Sequence, residues 1–182
     1  MLTSWTVENF KSIGKEIVLP LSPITALVGA NSSGKSSIIQ SILLIKQTLQ
    51  YATADRPIAL NGPLLKLGTF DDVRNVRSEG PGVRIGWQYD ERYSSLTSER
   101  FPKPRLGTFT PWRDLISEIK CVTEFGIDPA ARSELSRLQP LLINTCLTVI
   151  VTDSASERSA AHLEISRLPG PQSPSPPPTP PP

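Results

Sequence analysis

ITALVGANSSGKSSIIQSILLIKQTLQ, Ile24–Gln50, is the stretch on which the rest of the chain turns. Its first five residues, Ile24 to Val28, form a continuous apolar run between Pro23 and Gly29. Such a run suits a strand buried on both faces. From Lys35 the period becomes helical. Ile38, Ile42, Ile45 and Leu49 fall at i, i+4, i+7 and i+11, with Ile39 and Leu43 beside them. Ser41, Lys46, Gln47 and Gln50 take much of the remaining surface. No proline or glycine interrupts the run, so the spacing predicts a helix to about Gln50.

Between strand and helix lies GANSSGKS, Gly29–Ser36, which fits G-x-x-x-x-G-K-[ST] at every defined position. A chance match arises in roughly half a percent of chains of this composition, so the pattern carries weight. The strand–loop–helix context adds more. Glycines let the backbone curl so that successive N–H groups face phosphate oxygens. The helix N-terminus adds unsatisfied donors and partial positive charge. The nucleotide-binding residues read from this pattern are Gly29, Ala30, Asn31, Ser32, Ser33, Gly34, Lys35, Ser36 and Ser37. Lys35 is assigned to the β- and γ-phosphates, the Ser36 hydroxyl to Mg²⁺, and the Ser37 hydroxyl to the α-phosphate. ATP and Mg²⁺ are the expected ligands. The bland alternative is a glycine-rich turn with an exposed lysine.

Outward from this core the chain reads as mostly strands. MLTSWTVEN alternates, with Leu2, Ser4, Thr6 and Glu8 on one side and Thr3, Trp5, Val7 and Asn9 on the other. A turn at Ser12–Gly14 and a strand near Glu16–Leu19 complete a hairpin. Ile58–Leu60, the Asn61-Gly62 turn signal and Leu64–Leu67 predict a second hairpin. Thr69-Phe70-Asp71-Asp72 has capping-box spacing for a short helix. Val83, Ile85, Trp87 and Tyr89 form one face of a strand. Residues 90–113 are polar and hold three prolines, as in a long loop. Ile119–Ile127, Leu141–Val151 and His162–Leu168 predict further strands.

Composition limits the alternatives. The chain has 182 residues and 19 prolines, nine of them within Pro169–Pro182. That end carries no charged, aliphatic or aromatic side chain, so nothing in it offsets the entropy of ordering. PxxP spacings there permit SH3- or WW-type docking, though a passive tail is the simpler reading. One histidine, His162, argues against His-based zinc sites and Ser-His-Asp triads. Cys121 and Cys146 form no CxxC pair, which fits a reducing compartment. No run of apolar residues is long enough to span a membrane, and a cytoplasmic location is expected. The net charge of +2 gives no drive toward nucleic acid. Eight basic residues, from Arg74 to Arg113, are interspersed with acids, as on a solvated mixed surface.

GANSSGKSSIIQSILLIKQTL resembles the phosphate loop and first helix of AAA-family ATPases of the RecF/SMC/OLD-like class, with an ABC-type head. VENFKSIGKEIVL is similar to the N-terminal strand, NF[KR]S corner and second strand of that class, and LNGPLLKLGTFDDV to a segment after its first helix. The resemblance implies an α/β fold, a P-loop NTPase core strand and helix beside an antiparallel β-lobe. It implies ATP hydrolysis by a complete head. It makes Lys11 and Ser12 secondary nucleotide contacts, since the corner approaches the nucleotide in such heads. It implies a partner too, either a second head in a homodimer or a separate C-terminal half. DNA is a frequent target of the resembling families, but the charge here does not support it.

One requirement of hydrolysis is not met. The Mg²⁺-holding acid should end a second buried strand. Leu147–Asp153, LTVIVTD, is the sole candidate, and it reads better as a half-buried strand of the β-rich part. No SGG-like signature follows, and no catalytic residue can be named. The expected organisation is therefore residues 1–153 as the N-terminal part of an incomplete P-loop ATPase domain and 154–182 as a Ser/Pro-rich tail. A truncated or frame-shifted product, or a fragment pairing with another half, is the matching expectation. Three functions stay open: an ATPase domain, a non-hydrolytic nucleotide-binding or interaction module, and a remnant whose Ile24–Val28 strand lacks neighbours.

Overall fold

Alternation in the first nine residues becomes β1 (Leu2–Glu8), with Trp5 and Val7 buried between exposed or half-exposed neighbours. A computed structural model describes residues 1–53, 56–78, 80, 82–91, 116–127, 139–152 and 158–166. β1 turns at Phe10–Ile13 and pairs antiparallel with β2 (Ile17–Pro20), Trp5 facing Leu19. On its other side β1 pairs with β3 (Gly82–Asp90), where Trp5 faces Trp87 and Val7 faces Ile85. β4 (Ile116–Gly126), β5 (Leu141–Thr152) and β6 (Arg158–Ser166) follow. The six strands form one antiparallel sheet in the order β2-β1-β3-β4-β5-β6.

α1 (Lys35–Tyr51) crosses the Trp5–Val7 face of the sheet, and the four-residue α2 (Phe70–Val73) closes one end. The core joins Trp5, Val7, Phe10, Leu44, Phe70 and Phe125, all 3% exposed or less. Phe70 and Phe125 meet edge-on with ring centroids 6.2 Å apart. That contact adds about 0.5–1.5 kcal/mol beyond the burial of the rings.

Three sequence expectations are corrected. Ile24–Val28 is not a strand. Ile24 and Val28 are 90% and 91% exposed, and every strand pairing among the described residues is antiparallel and lies elsewhere. An apolar run favours a buried strand only where neighbours supply its hydrogen bonds, and none is present here among the described residues. The fold described is thus an antiparallel sheet with few helices, without the expected core strand ahead of the loop.

The second correction concerns α1. The buried residues are Ser37, Ser41, Leu44 and Gln47, while Ile38, Ile42 and Ile45 flank the core and Leu49 is 82% exposed. The helix has rotated toward its polar residues because they have partners. Trp5 Nε1 donates to Ser41 Oγ at 2.9 Å. Gln47 Nε2 donates to the carbonyls of Ala59 and Leu65, and its Oε1 accepts from the N–H groups of Leu64 and Leu65. A satisfied buried amide can occupy a core position that periodicity assigns to an aliphatic side chain.

The third concerns Ile58–Leu67. Its hairpin reduces to one bridge, Asn61 with Lys66, because Gln47 takes backbone groups that strand pairing would have used. Ile58, Leu60 and Leu67 are nevertheless buried. The capping box is present: Thr69 N and Oγ1 both donate to Asp72 Oδ2 at 2.8 Å, and α2 starts there. β3 lies where alternation placed a strand, β4 and β5 largely cover the expected Ile119–Ile127 and Leu141–Val151, and β6 starts four residues before the expected His162–Leu168. Residues 92–113 of the expected long loop and Pro169–Pro182 lie outside the described residues, while residues 158–166 of the expected 154–182 tail form β6.

Candidate functional site

Positive φ angles shape the segment from Gly29 to Gly34. Gly29 has φ 148°, Ser32 φ 64° and Gly34 φ 95°. Left-handed residues in this alternation turn backbone N–H groups toward one side, and two are the glycines the motif specifies. Gly34 sits just before α1, whose first ordinary helical hydrogen bond runs from Ile38 N to Gly34 O at 3.1 Å. The N–H groups of Lys35, Ser36 and Ser37 therefore have no intrahelical partner and lie where an anion would meet them.

Lys35 folds back over this loop. Its Nζ donates to Gly29 O at 2.8 Å, to Ala30 O at 2.5 Å and to Ser33 Oγ at 3.4 Å. The ammonium group is exposed and within reach of the loop mouth. Ala30, Asn31, Ser32, Ser33 and Ser36 are exposed, whereas Gly34 is buried. The Ser36 hydroxyl, on the open side of the first turn, is chemically suited to ligating a hard divalent cation. Ser37 behaves differently: it is 7% exposed and its Oγ lies 2.9 Å from Ser12 Oγ.

The corner Asn9–Ile13 is brought against the loop. Asn9 and Lys11 both adopt left-handed backbone, φ 56° and 51°. Four interactions hold that conformation. Phe10 is fully buried. Lys11 N donates to Val73 O at 2.7 Å, Asn75 Nδ2 donates to Lys11 O at 2.5 Å, and Asn9 Nδ2 donates to Gly82 O at 2.6 Å. A Cβ on Gly34 would lie 3.3 Å from Ser12 Oγ, so the corner packs closely on the loop. Asn9 and Asn75 were not singled out from the sequence. For Asn9 the legible signal was the tolerance of asparagine for left-handed backbone.

A sequence model described as the AAA ATPase domain matches residues 1–138. The chain belongs to that family. No curated protein matches it. In this AAA ATPase domain the matched span includes the corner, the phosphate-type loop, α1 and the segment clamped by Gln47. Such a domain is an ATP-binding, ATPase-type unit, and its family membership implies nucleotide with Mg²⁺.

Other features lie away from the loop. β5, which carries the candidate acidic strand, is separated from β1 by β3 and β4 and runs antiparallel to both neighbours. Asp153 is outside the described residues. Of the basic set, Arg84 ion-pairs with Glu8 at 2.9 Å, and the residues from Arg92 to Arg113 are outside the described part. His162 is exposed, with Nδ1 3.1 Å from Thr148 Oγ1. Cys121 and Cys146 are free, and burial pushes the Cys121 thiol pKa up, which disfavours thiolate chemistry. A cavity of about 570 Å³ on the sheet face away from α1 is lined by Glu8, Arg84, Lys120 and Glu124, and shares no residue with the loop. No helix among the described residues is long and apolar enough to cross a membrane.

Proposed function

We propose that Gly29–Ser37 of this AAA ATPase domain binds the phosphates of ATP, with Ser36 holding Mg²⁺. The observation that carries the reading is the loop itself: left-handed Gly29, Ser32 and Gly34 leading directly into a 17-residue helix, with Lys35 folded over the mouth. Orphan N–H groups of the first helical turn stabilise the bound anion. Lys35 leaves the carbonyls of Gly29 and Ala30 and transfers its ammonium donors to phosphate oxygens. Mg²⁺, when bound, neutralises phosphate charge. Ser12 braces the first turn through Ser37, so the corner acts on the site mainly by position.

The finer family reading is the RecF/SMC/OLD-like class. The juxtaposition of the Lys11–Ser12 corner with the loop supports it. In that reading the exposed Ile24–Val28 run gains strand neighbours from a separate C-terminal half or a second head. A second reading is nucleotide binding without turnover. The place of β5, with two strands between it and β1 and antiparallel to its neighbours, favours it because Leu147–Thr152 then supplies no acid beside the loop. DNA remains a target of the resembling families only.

Binding of a fluorescent ATP analogue with Mg²⁺ tests the site. Lys35→Ala is expected to abolish binding without changing the circular dichroism spectrum. Equal binding by wild type and variant refutes the assignment. Lys35-dependent phosphate release from the purified chain separates the hydrolytic reading from the non-hydrolytic one.

A further inference from the structure

The two edges of the sheet are built differently. β2 has four residues and ends at Pro20, a short edge that resists strand addition. β6 has nine residues, Arg158–Ser166, all exposed, with no proline and no lysine. Its inward neighbour is β5, and no described strand lies beyond it. Leu163 and Ile165 are 54% and 53% exposed on one face. Edges of this length present a row of backbone donors and acceptors open to a further strand.

The sequence of β6, RSAAHLEIS, is complementary to itself when reversed. Arg158, Ala160, His162 and Glu164 share one face by strand alternation. Two antiparallel copies centred on Ala161 set Arg158 opposite Glu164 of the other copy, twice, around the small residues Ala160 and Ala161. Directly opposed unlike charges are the favourable cross-strand arrangement. Both charged groups are already held by their own sheet: Arg158 Nη2 donates to Glu118 at 3.3 Å, and Glu164 Oε1 accepts from Asn144 Nδ2 at 3.0 Å. Arg158 still leaves 52% of its side chain exposed, so it can engage a second carboxylate.

We propose that β6 is a homodimer edge, pairing antiparallel about a two-fold axis at Ala161 to give a continuous twelve-stranded sheet. Two-fold symmetry makes the contact self-limiting, since each copy uses the one long edge among the described residues. The interaction is weak and concentration-dependent, because it rests on one strand pair and not on an apolar face.

Sedimentation of the full chain at increasing concentration is expected to show a monomer–dimer equilibrium. Arg158→Glu and Glu164→Arg should each weaken it by about tenfold or more, since two pairs change from attraction to repulsion. Mixing the two variants should restore association, because each copy then meets its opposite charges across the axis. Ala161→Cys should oxidise to a covalent dimer, while wild type and Ser159→Cys do not. A chain that is monomeric throughout, or variants that fail to recover on mixing, overturns the proposal. So does equal cross-linking at Ser159→Cys and Ala161→Cys.

Discussion

Single side chains settle where α1 sits. Trp5 is 3% exposed and needs an acceptor for its indole N–H, which Ser41 provides. Ser41→Ala leaves that donor buried and unpaired, and is expected to cost about 1–3 kcal/mol in urea denaturation. Ser41→Ala in a Trp5→Phe background should cost much less, because the donor is gone. Asp72 is a second case. Hydrogen bonds from Thr69 hold its pKa below the usual carboxylate value. A lowered folded-state pKa contributes stability that is fully present above the unfolded pKa and is lost as pH falls through the folded one. Acid titration of wild type should therefore show a loss of α2 below the ordinary carboxylate range that Asp72→Asn does not show. The effect is small, since the group is fully exposed.

At the scale of elements, the helix and the 59–65 segment are one unit. Gln47 makes four hydrogen bonds to that segment, and a Cβ on Gly62 would come within 2.6 Å of its amide carbon. Gln47→Ala removes all four bonds and is expected to cost about 3 kcal/mol or more, with amide exchange rising at Leu64 and Leu65 first. Gln47→Leu, which restores bulk but no hydrogen bonds, should remain far from wild type. The same unit marks the limit of sequence reading. Hydrophobic period located α1 and its length, and alternation located β1 and β3, because those signals are local. The period also placed Leu49 on the same face as Ile42, and there it failed, since Ile42 packs against the core while Leu49 is exposed. Which helix face is buried depended on Trp5 and on the backbone of residues 59–65, partners that no window of α1 contains. For the candidate site the loop was legible in Gly29, Gly34 and Lys35. The bracing of Ser37 by Ser12 was not, since it joins residues 25 apart through the left-handed corner.

Across the whole molecule, the sheet and the loop are unevenly supported. Among the described residues six strands pair with one another, while Ile24 and Val28, immediately before the loop, are 90% and 91% exposed. Ile24→Ser and Val28→Ser are accordingly expected to shift the urea midpoint by less than about 0.5 kcal/mol equivalent, as for other exposed positions. A large loss from either would mean that the run is packed in solution. If the run gains strand neighbours from another half, the same variants should impair that assembly while leaving the isolated chain intact.

The hairpin of β1 and β2 is joined covalently to the rest of the chain through a mostly exposed segment, residues 22–33, yet β1 lies inside the sheet between β2 and β3. Covalent continuity and structural integration are thus separate here. A protease site inserted after Ser22 should nick the backbone without releasing the N-terminal piece. Trp5, Val7 and Phe10 remain buried in the larger fragment, and β1 stays paired with β3. The chain is in this sense a two-part protein joined by a tether, and the tether ends in the Gly29–Gly34 loop.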